Sequence, residues 1–416
     1  MSPVLPFDII ALIIDIVGEN NDTNLLKELA LVSHSFLHIC SKHLFATVDL
    51  HDNDLTCQCH IASKKRFVKL LESRPDVVKY IRKLTYTIEY DHVRSPPISP
   101  LLNFDNDDNL LSPILPNFLR TIPRLKYLKI DASLLNWNVL NPSLTSAFLH
   151  LMHLPTINHI DLSFIYNFPL SSLTPCVNLL RLDICQLSVV DRLFEGDGVP
   201  EFVFQSEIMP KILEFRTFDS SLLMTKLLHA KTQDGQPVFN FMDLRRVTMS
   251  SSRSEDDQNI QYLLQNAKSL ENLHLYIGHQ SLIRLHDIPS ISAGSLKVFD
   301  MSASLYSNPL GLTGLWEEMA GLNMLEALSF EFQVDCDESV DFVGSILQKA
   351  ENILVRPGWP ALRQVSIKIE IIPQEDCTEF VEALQSLPDK YLTHLPNHES
   401  VAFDFSAYVP SAYVSD

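Results

Sequence analysis

The densest group of metal-ligand side chains in this 416-residue sequence is Cys57-Gln-Cys59-His60, with His51 close by. Thiolates and imidazoles at short spacing can hold zinc, but a structural zinc site needs a second ligand pair farther along the chain. The two cysteines are separated by only one residue, and no CxxC pair follows them. We therefore predict no metal site here and interpret the stretch as a polar linker.

A second group of candidate ligands is the acidic segment Asp105-Asn-Asp107-Asp108-Asn109, which has the oxygen-rich composition of a calcium loop. Such a loop needs glycine at its sixth position, for the sharp turn, and glutamate at its twelfth. Leu110 and Pro116 stand at those positions. We therefore interpret the segment as a solvated acidic loop.

Signatures of catalysis are also missing from the sequence. It contains no GxSxG, no HExxH and neither of the glycine-rich phosphate loops, GxGxxG and GxxxxGK[ST]. Its 15 histidines and many serines still produce accidental Ser/His/Asp sets, so a site assembled from distant residues stays open. We predict that the chain is not an enzyme and that it holds no cofactor and no metal.

The composition limits the partners. With 51 acidic and 32 basic residues the chain has a net charge of −19, which disfavours nucleic acids and anionic membranes because phosphates would be repelled. The first apolar run is interrupted by Asp8 and Asp15, so we predict neither a signal peptide nor a membrane-spanning helix. The seven cysteines form no framework, which indicates reduced thiols and a cytoplasmic or nuclear location.

Binding surfaces are therefore the remaining candidates, and the first is at the start of the chain, where residues 5–44 predict three short helices. Pro6 suits the start of a helix, where an N–H group has no intrahelical partner to lose. One face of this helix carries Ile9, Ile10, Ile13, Ile14 and Val17. The expected boundary residues are Gly18 at its end, Asp22 or Thr23 before the second helix, and Ser33 or Ser35 before the third. Three such helices cannot bury all their apolar surface alone, so they must dock on the rest of the chain or on another protein.

These residues resemble an F-box, the module through which substrate receptors of cullin-based ubiquitin ligases bind the small Skp adaptor. The similarity is carried by Leu5-Pro6, Asp8, the isoleucine pairs, Leu25-Leu26, the run from Leu31 to Phe36 and, as in fungal members, the run from His43 to Val48. Ser33 and Phe36 stand where the family often has Cys and Trp. The resemblance implies that the adaptor, and through it a cullin, is bound by Leu5, Pro6, Ile9, Ile10, Ile13 and Leu26. The alternative is that the three helices cap the following domain, with their isoleucines facing inward.

From about residue 60 onward one pattern recurs, a helical stretch followed by a strand written apolar-x-x-apolar-x-apolar. Its copies begin at Ile81, Leu125, Ile157, Leu179, Ile212, Leu244, Leu270, Leu296, Leu325 and Leu362, and a last strand is expected at Val401–Phe405. The steps between copies run from 22 to 44 residues and lie mostly between 22 and 37, which suits leucine-rich repeats although several steps exceed their usual length. A strand–helix unit cannot bury its apolar face alone, so stacked units share one core.

The repeats resemble those of leucine-rich F-box proteins, although the asparagine or cysteine that follows the last leucine in that family is absent. The predicted fold is α/β: a leucine-rich-repeat solenoid, shaped as a horseshoe with parallel strands inside and helices outside, after a small three-helix F-box-like module. We predict the helical module at residues 1–50, the solenoid at 51–405 and a C-terminal tail at 406–416. Three segments rich in Pro, Gly and Asp are expected to be rim loops, Asp91–Asn109, Asp191–Pro210 and Lys231–Pro237.

The x positions of the strands leave the core and would line the concave face, where a target protein could bind. They carry both signs of charge despite the acidic chain, which favours recognition of a protein surface through charge-assisted hydrogen bonds. The predicted target-binding residues are Tyr127, Lys129, His159, Arg181, Arg245, His274, Lys297 and Arg363. The alternative is an ordinary solvated sheet face.

Together these features favour a substrate-recognition subunit of a Skp–cullin–F-box ubiquitin ligase, with helices for the adaptor and repeats for a target protein. The alternative is a leucine-rich interaction scaffold with no ligase role. The target itself is not encoded in any pattern of the sequence.

Overall fold

The computed structural model describes residues 6–20, 22–51, 58–88, 114–187, 209–231, 236–251, 253–278, 294–304, 324–336, 339–356, 359–372, 377–398 and 400–410. The chain divides into two compact units, with the division between residues 200 and 211. The side chains of the Cys57–His60 group, the acidic segment at 105–109 and the loop Asp91–Asn109 lie outside the described residues. So do all of Asp191–Pro210 except Met209 and Pro210, and the centre of Lys231–Pro237, whose end residues form an isolated antiparallel bridge.

The first unit combines helices with five strands. Its elements are α1 Phe7–Glu19, α2 Thr23–Ala30, α3 His34–Leu44, β1 Thr47–His51, α4 Gln58–Ser73, a 3-10 helix Pro75–Tyr80, β2 Lys83–Ile88, α5 Ile114–Arg120, β3 Tyr127–Asn136, a 3-10 helix Trp137–Val139, α6 Pro142–Met152, β4 His159–Tyr166, a 3-10 helix Leu170–Leu173 and β5 Arg181–Cys185. The strands β1 to β5 pair in chain order and every pair is parallel.

The second unit repeats the same plan with seven strands. Its elements are β6 Glu214–Phe218, α7 Ser221–His229, β7 Arg246–Ser251, α8 Ser254–Asn266, β8 Asn272–Ile277, β9 Val298–Ser304, β10 Ala327–Asp335, α9 Val340–Leu354, β11 Gln364–Ile372, α10 Thr378–Gln385, α11 Leu387–Tyr391, a 3-10 helix Leu395–Asn397 and β12 Ala402–Tyr408. Strands β6 to β12 again pair in chain order and in parallel. The predicted α/β class with parallel strands and helices is therefore confirmed.

The repeated apolar positions form rows across the strands. In the first unit Leu84, Leu128, Ile160 and Leu182 are mutual partners in register, and each is fully buried. In the second unit the corresponding row is Phe215, Val247, Leu273, Phe299, Leu328 and Val365. The first residue of each predicted copy, two positions before its strand, is buried as well. These rows are the core of each unit.

A backbone contact recurs where the strands begin. The carbonyl of Arg82 accepts the N–H groups of Lys126 and Tyr127 at 2.8 and 3.1 Å. The carbonyl of Lys126 accepts those of Asn158 and His159 in the same way, and Arg245, Glu271, Lys297 and Glu326 repeat the arrangement in the second unit. Successive copies within a unit are thus joined at the same point of the pattern.

The strands extend beyond the predicted pattern at both ends of the chain. β1 was not predicted from the sequence, and the predicted boundary between residues 50 and 51 falls inside it. It pairs with β2 along its whole length. The last strand continues to Tyr408, so the predicted tail at 406–416 begins within β12.

The three N-terminal helices share a small core of Ile14, Leu26, Ile39 and Cys40. Two of the expected caps are in place: the Asp22 carboxylate accepts the N–H of Leu25 at 3.0 Å, and the Ser33 hydroxyl accepts the N–H of Phe36 at 3.2 Å. His38 on α3 and the hydroxyl of Tyr80 lie 2.9 Å apart and connect this core to the repeats.

Gly18 was expected to end α1, but the helix continues to Glu19. Its role is a close approach of two helices. A Cβ at this position would lie 2.2 Å from Nδ1 of His43 on α3, where no atom fits. On its other side the same ring contacts the Asp15 carboxylate at 2.7 Å. Because Gly18 has no side chain, the His43 ring of α3 can pack directly against the backbone of α1.

Cys336 directly follows β10 and forms a disulfide with Cys377, which directly precedes α10; their Cα atoms are 6.1 Å apart. This separation suits a disulfide. The prediction of reduced cysteines is therefore wrong for this pair. Cys40, Cys176 and Cys185 form no disulfide. The cytoplasmic or nuclear location, which depended on reduced thiols, stays a prediction; none of the described helices is long and apolar enough to cross a bilayer.

The orientation of α1 can be tested by replacing two adjacent isoleucines, one buried and one exposed. Ile14 is 1 % exposed and Ile13 is 46 % exposed, so Ile14→Ala removes core packing whereas Ile13→Ala removes almost none. We expect Ile14→Ala to lower the stability of the helices by about 2–5 kcal/mol. Ile13→Ala should change it by no more than about 0.5 kcal/mol. Native-state hydrogen exchange of the α1 amides measures both, and equal effects would show that α1 is oriented differently.

The disulfide is tested by replacing both of its cysteines with serine. Because the bond closes a loop of 41 residues, its loss should destabilise the second unit by about 4 kcal/mol on the chain-entropy model. Thermal unfolding with and without dithiothreitol measures the effect, and the double variant should no longer respond to reductant. Alkylation of both cysteines in the unreduced, denatured wild type would contradict the assignment.

Candidate protein-interaction surfaces

The outward side of α1 is apolar. Ile9, Leu12, Ile13 and Ile16 are each 44–57 % exposed, and we call these four residues the apolar helix face. Phe7 at the start of α1 and Leu25, Leu31 and Val32 on and after α2 are exposed as well. Among the described residues, eight of the fourteen exposed large apolar side chains thus lie between residues 7 and 32. Concentrations of this kind indicate interaction sites.

The sequence placed Ile9, Ile10, Ile13, Ile14 and Val17 on one face, and the structure divides this set between two sides. Ile10, Ile14 and Val17 pack into the small helical core, whereas Ile9 and Ile13 point away from it. Helical geometry explains the division, since residues three and four apart share a side and adjacent residues do not. Three of the five residues therefore face the helices' own core, and two face solvent.

A polar contact also joins α1 to α3. The Asp15 carboxylate accepts hydrogen bonds from Lys42 and His43 of α3. Burial raises the pKa of Asp15, but these two partners outweigh it, so its pKa is lowered and the charged form is favoured. This contact and the buried Ile14 side chain together hold α1 against the other helices, and the apolar helix face remains exposed.

The residues predicted to bind the adaptor have different positions in the structure. Leu5 lies outside the described residues, Pro6 is exposed before α1, Ile9 and Ile13 belong to the apolar helix face, and Ile10 is half-buried. Leu26 is a correction: it is 1 % exposed within the helical core, so its side chain cannot contact a partner in this conformation. Leu25, one residue earlier, is 38 % exposed.

A second surface is the solvent side of the first unit's sheet, which we call the polar face. Its rows are Lys83, Tyr127, His159 and Arg181, then Thr85, Lys129, Asp161 and Asp183, then Thr87, Asp131, Ser163 and Cys185. The structure thus brings together the four predicted residues Tyr127, Lys129, His159 and Arg181.

The polar face has a hydrogen-bonded centre. Asp183 contacts His159 Nε2 at 3.0 Å and Arg181 Nη2 at 2.9 Å, and the hydroxyl of Tyr127 donates to Asp161 at 3.3 Å. The rings of Tyr127 and His159 lie 4.4 Å apart. Asp161 and Asp183 therefore hold three of the predicted residues, and Lys129 pairs with a third carboxylate, Asp131, at 2.9 Å.

The two carboxylates have opposite electrostatics. Burial raises the pKa of Asp183, but hydrogen bonds from His159 and Arg181 outweigh it and the pKa is lowered. Burial likewise raises the pKa of Asp161, where the opposing attraction of Lys129 is insufficient and the pKa stays raised. Burial and Asp161 also raise the pKa of the Tyr127 hydroxyl, which keeps it a neutral donor.

In the second unit His274 lies on the solvent side of β8, stacked on Tyr276 at 4.4 Å. Phe218 contacts the Tyr276 ring at 4.9 Å, and the Arg216 guanidinium lies 4.8 Å from the Phe218 ring. Burial lowers the pKa of His274, opposed by Asp300 and Glu331. Its Nε2 atom is buried and has no hydrogen-bond partner among the described residues.

Arg245, Lys297 and Arg363 do not join His274 on this side of the sheet. Each is the exposed residue immediately before a strand, β7, β9 or β11, where its carbonyl or N–H belongs to the contact between repeats. The assumption that every x position lines one face is wrong for them, because strand alternation begins only at the following residue.

Arg363 lies instead at a pair of adjoining cavities of about 570 and 470 Å³, which share Val355, His398 and Ser400. We call the pair the C-terminal cleft. Arg356, Trp359 and His394 also line it. The sequence reasoning missed this site, because its two arginines and two histidines come from separate stretches of the chain that no local pattern connects.

No arrangement of three or more His, Cys, Asp and Glu side chains suited to a metal ion occurs in the described part of the chain.

No family model matches the chain, and no curated protein is significantly similar to it. The site geometry is therefore the only guide to function beyond the sequence resemblance.

Because the pKa values of Asp183 and Asp161 are shifted in opposite directions, replacing each with asparagine should have different effects on stability. Asp183 has a lowered folded pKa, so its contribution to stability is complete above the ordinary value of 3.8 and is lost as the pH falls through the folded value. Asp183→Asn should therefore lower the melting temperature at pH 7. Asp161 has a raised folded pKa, so its ionisation opposes folding, and Asp161→Asn should leave the melting temperature unchanged or raise it.

Thermal unfolding of both variants at pH 7 and near pH 3 provides the measurement. The penalty of Asp183→Asn should shrink at the lower pH. A penalty of the same size for both variants at pH 7 would contradict the assigned electrostatics.

Proposed function

We propose that the chain is a substrate-recognition subunit of a Skp–cullin–F-box ubiquitin ligase. The observation that carries this proposal is the apolar helix face, which points away from the small helical core and is left open to solvent. Pro6, Ile9 and Ile13 supply the adaptor contact, with Leu25 in the place predicted for Leu26. Covering such side chains with a partner's groove is the usual way in which an amphipathic helix is bound.

We further propose that the strand–helix copies are leucine-rich repeats that stack as a solenoid. The parallel pairing of strands in chain order within each unit, with buried apolar rows, supports this. Each copy depends on its neighbours for burial of its apolar side, as in repeat proteins.

The target protein binds the polar face of the first unit in this proposal. Tyr127, His159 and Arg181 are hydrogen-bonded there and Lys129 is ion-paired, so little side-chain freedom is lost on binding. The chain supplies position only: it holds the target where other subunits transfer ubiquitin, which raises the effective concentration of the reacting groups.

Adaptor binding is tested by co-expression of the tagged chain with a Skp adaptor. Burial of each isoleucine contributes about 1.5–3 kcal/mol, so the double variant Ile9→Asp, Ile13→Asp should weaken the complex at least about 100-fold. A matched control is Leu222→Asp with Met242→Asp, which adds the same charge at exposed apolar positions of the second unit. The control should bind like the wild type.

Circular dichroism and melting temperature verify that both variants are folded. Absence of the adaptor complex for the wild type, or equal binding by the Ile9/Ile13 variant, would refute the ligase proposal. The chain would then be a leucine-rich interaction scaffold.

A further inference from the structure

The C-terminal cleft has a cationic lining in a chain of net charge −19. Arg356 and Arg363 are exposed at one of its cavities, His394 lines the other, and His398 lines both. No Asp or Glu occurs among the described lining residues. Neither guanidinium has a carboxylate partner among the described residues, so both keep donors available for an outside anion.

The walls of the cleft are built from anchored groups. The Trp359 indole donates to the carbonyl of Ile353 at 3.1 Å, and the Arg356 N–H donates to the same carbonyl at 3.2 Å. The carbonyl at the end of α9 is therefore occupied by two donors and repels an anion less. On the facing wall Glu351 is 3 % exposed and accepts the N–H groups of His394 and Leu395 at 2.6 and 3.2 Å. The carboxylate nearest the end of α9 is therefore already hydrogen-bonded to the protein's own backbone.

The histidine shared by both cavities also offers a donor. Nδ1 of His398 accepts the N–H of Ser400 at 3.4 Å. In a neutral imidazole the hydrogen then resides on Nε2, so this ring presents a further N–H group. A cation after a helix C-terminus is ordinary for Arg356. That explanation does not extend to Arg363, which directly precedes β11.

We propose that the C-terminal cleft binds an acidic peptide segment of another protein, with the two arginines on its oxyanions and the Trp359 and Val355 side chains against its aliphatic part. Arginine is the side chain best suited to such an anion because its planar fork matches an oxyanion in two hydrogen bonds. A combined volume near 1,000 Å³ admits several residues rather than a single ion. This site is separate from the apolar helix face and does not depend on adaptor binding.

The test uses the full chain and three fluorescein-labelled heptapeptides, measured by fluorescence anisotropy. One peptide carries four glutamates among alanines, the second replaces each glutamate with glutamine, and the third replaces them with phosphoserine. The glutamate or phosphoserine peptide should bind and the glutamine peptide should not. Removing both arginines, Arg356→Gln with Arg363→Gln, should weaken binding roughly tenfold for each arginine.

The matched control is Arg245→Gln with Lys297→Gln, which removes the same charge from exposed positions before β7 and β9. It should change affinity less than twofold. Binding of only the phosphoserine peptide would identify phosphate as the oxyanion and support the site. Absence of binding by both anionic peptides, equal binding of the glutamine peptide, or an equal loss in the control would overturn it. Adaptor binding by the Arg356/Arg363 variant should be normal, so this proposal and the ligase proposal fail independently.

Discussion

The architecture of each unit depends on one backbone contact that recurs at the entry to successive strands. A single carbonyl accepts two consecutive N–H groups of the next repeat, as Arg82 does for Lys126 and Tyr127. This fixes where one strand starts relative to its neighbour. Because side chains alternate along a strand, a shift of one residue would exchange the buried and exposed sets. The contact therefore determines both the apolar rows of the core and the composition of the polar face.

The strands could be predicted from the sequence because the apolar pattern around this contact is short and regular. The leucine that opens each copy is buried just before the strand, and the two apolar residues that follow at fixed spacing point to the core. Irregular helices and loops of different length do not disturb this short pattern. β1 lacks the opening leucine, because Phe45-Ala46 precede Thr47, and its pairing with β2 is what makes it a strand.

The surfaces were harder to predict, for physical reasons that differ from site to site. Periodicity identified an apolar side of α1 but could not tell which of its residues would pack against α2 and α3 in the helical core. On the polar face the sequence indicated the cations, whereas Asp161 and Asp183 acquire their roles only when β4 and β5 are side by side. The cleft and the disulfide join residues from separate elements, which no local pattern records.

The disulfide between β10 and α10 also affects how the chain responds to force. Pulling on the two ends of an unfolding chain extends every residue by at most about 3.3–3.6 Å. The 41-residue span between Cys336 and Cys377 would remain a closed ring, so roughly 140 Å of contour length could not be released until the bond is reduced. A motor that threads the polypeptide through a narrow pore would meet two strands at once at this point, and its progress there would be set by the supply of thiols.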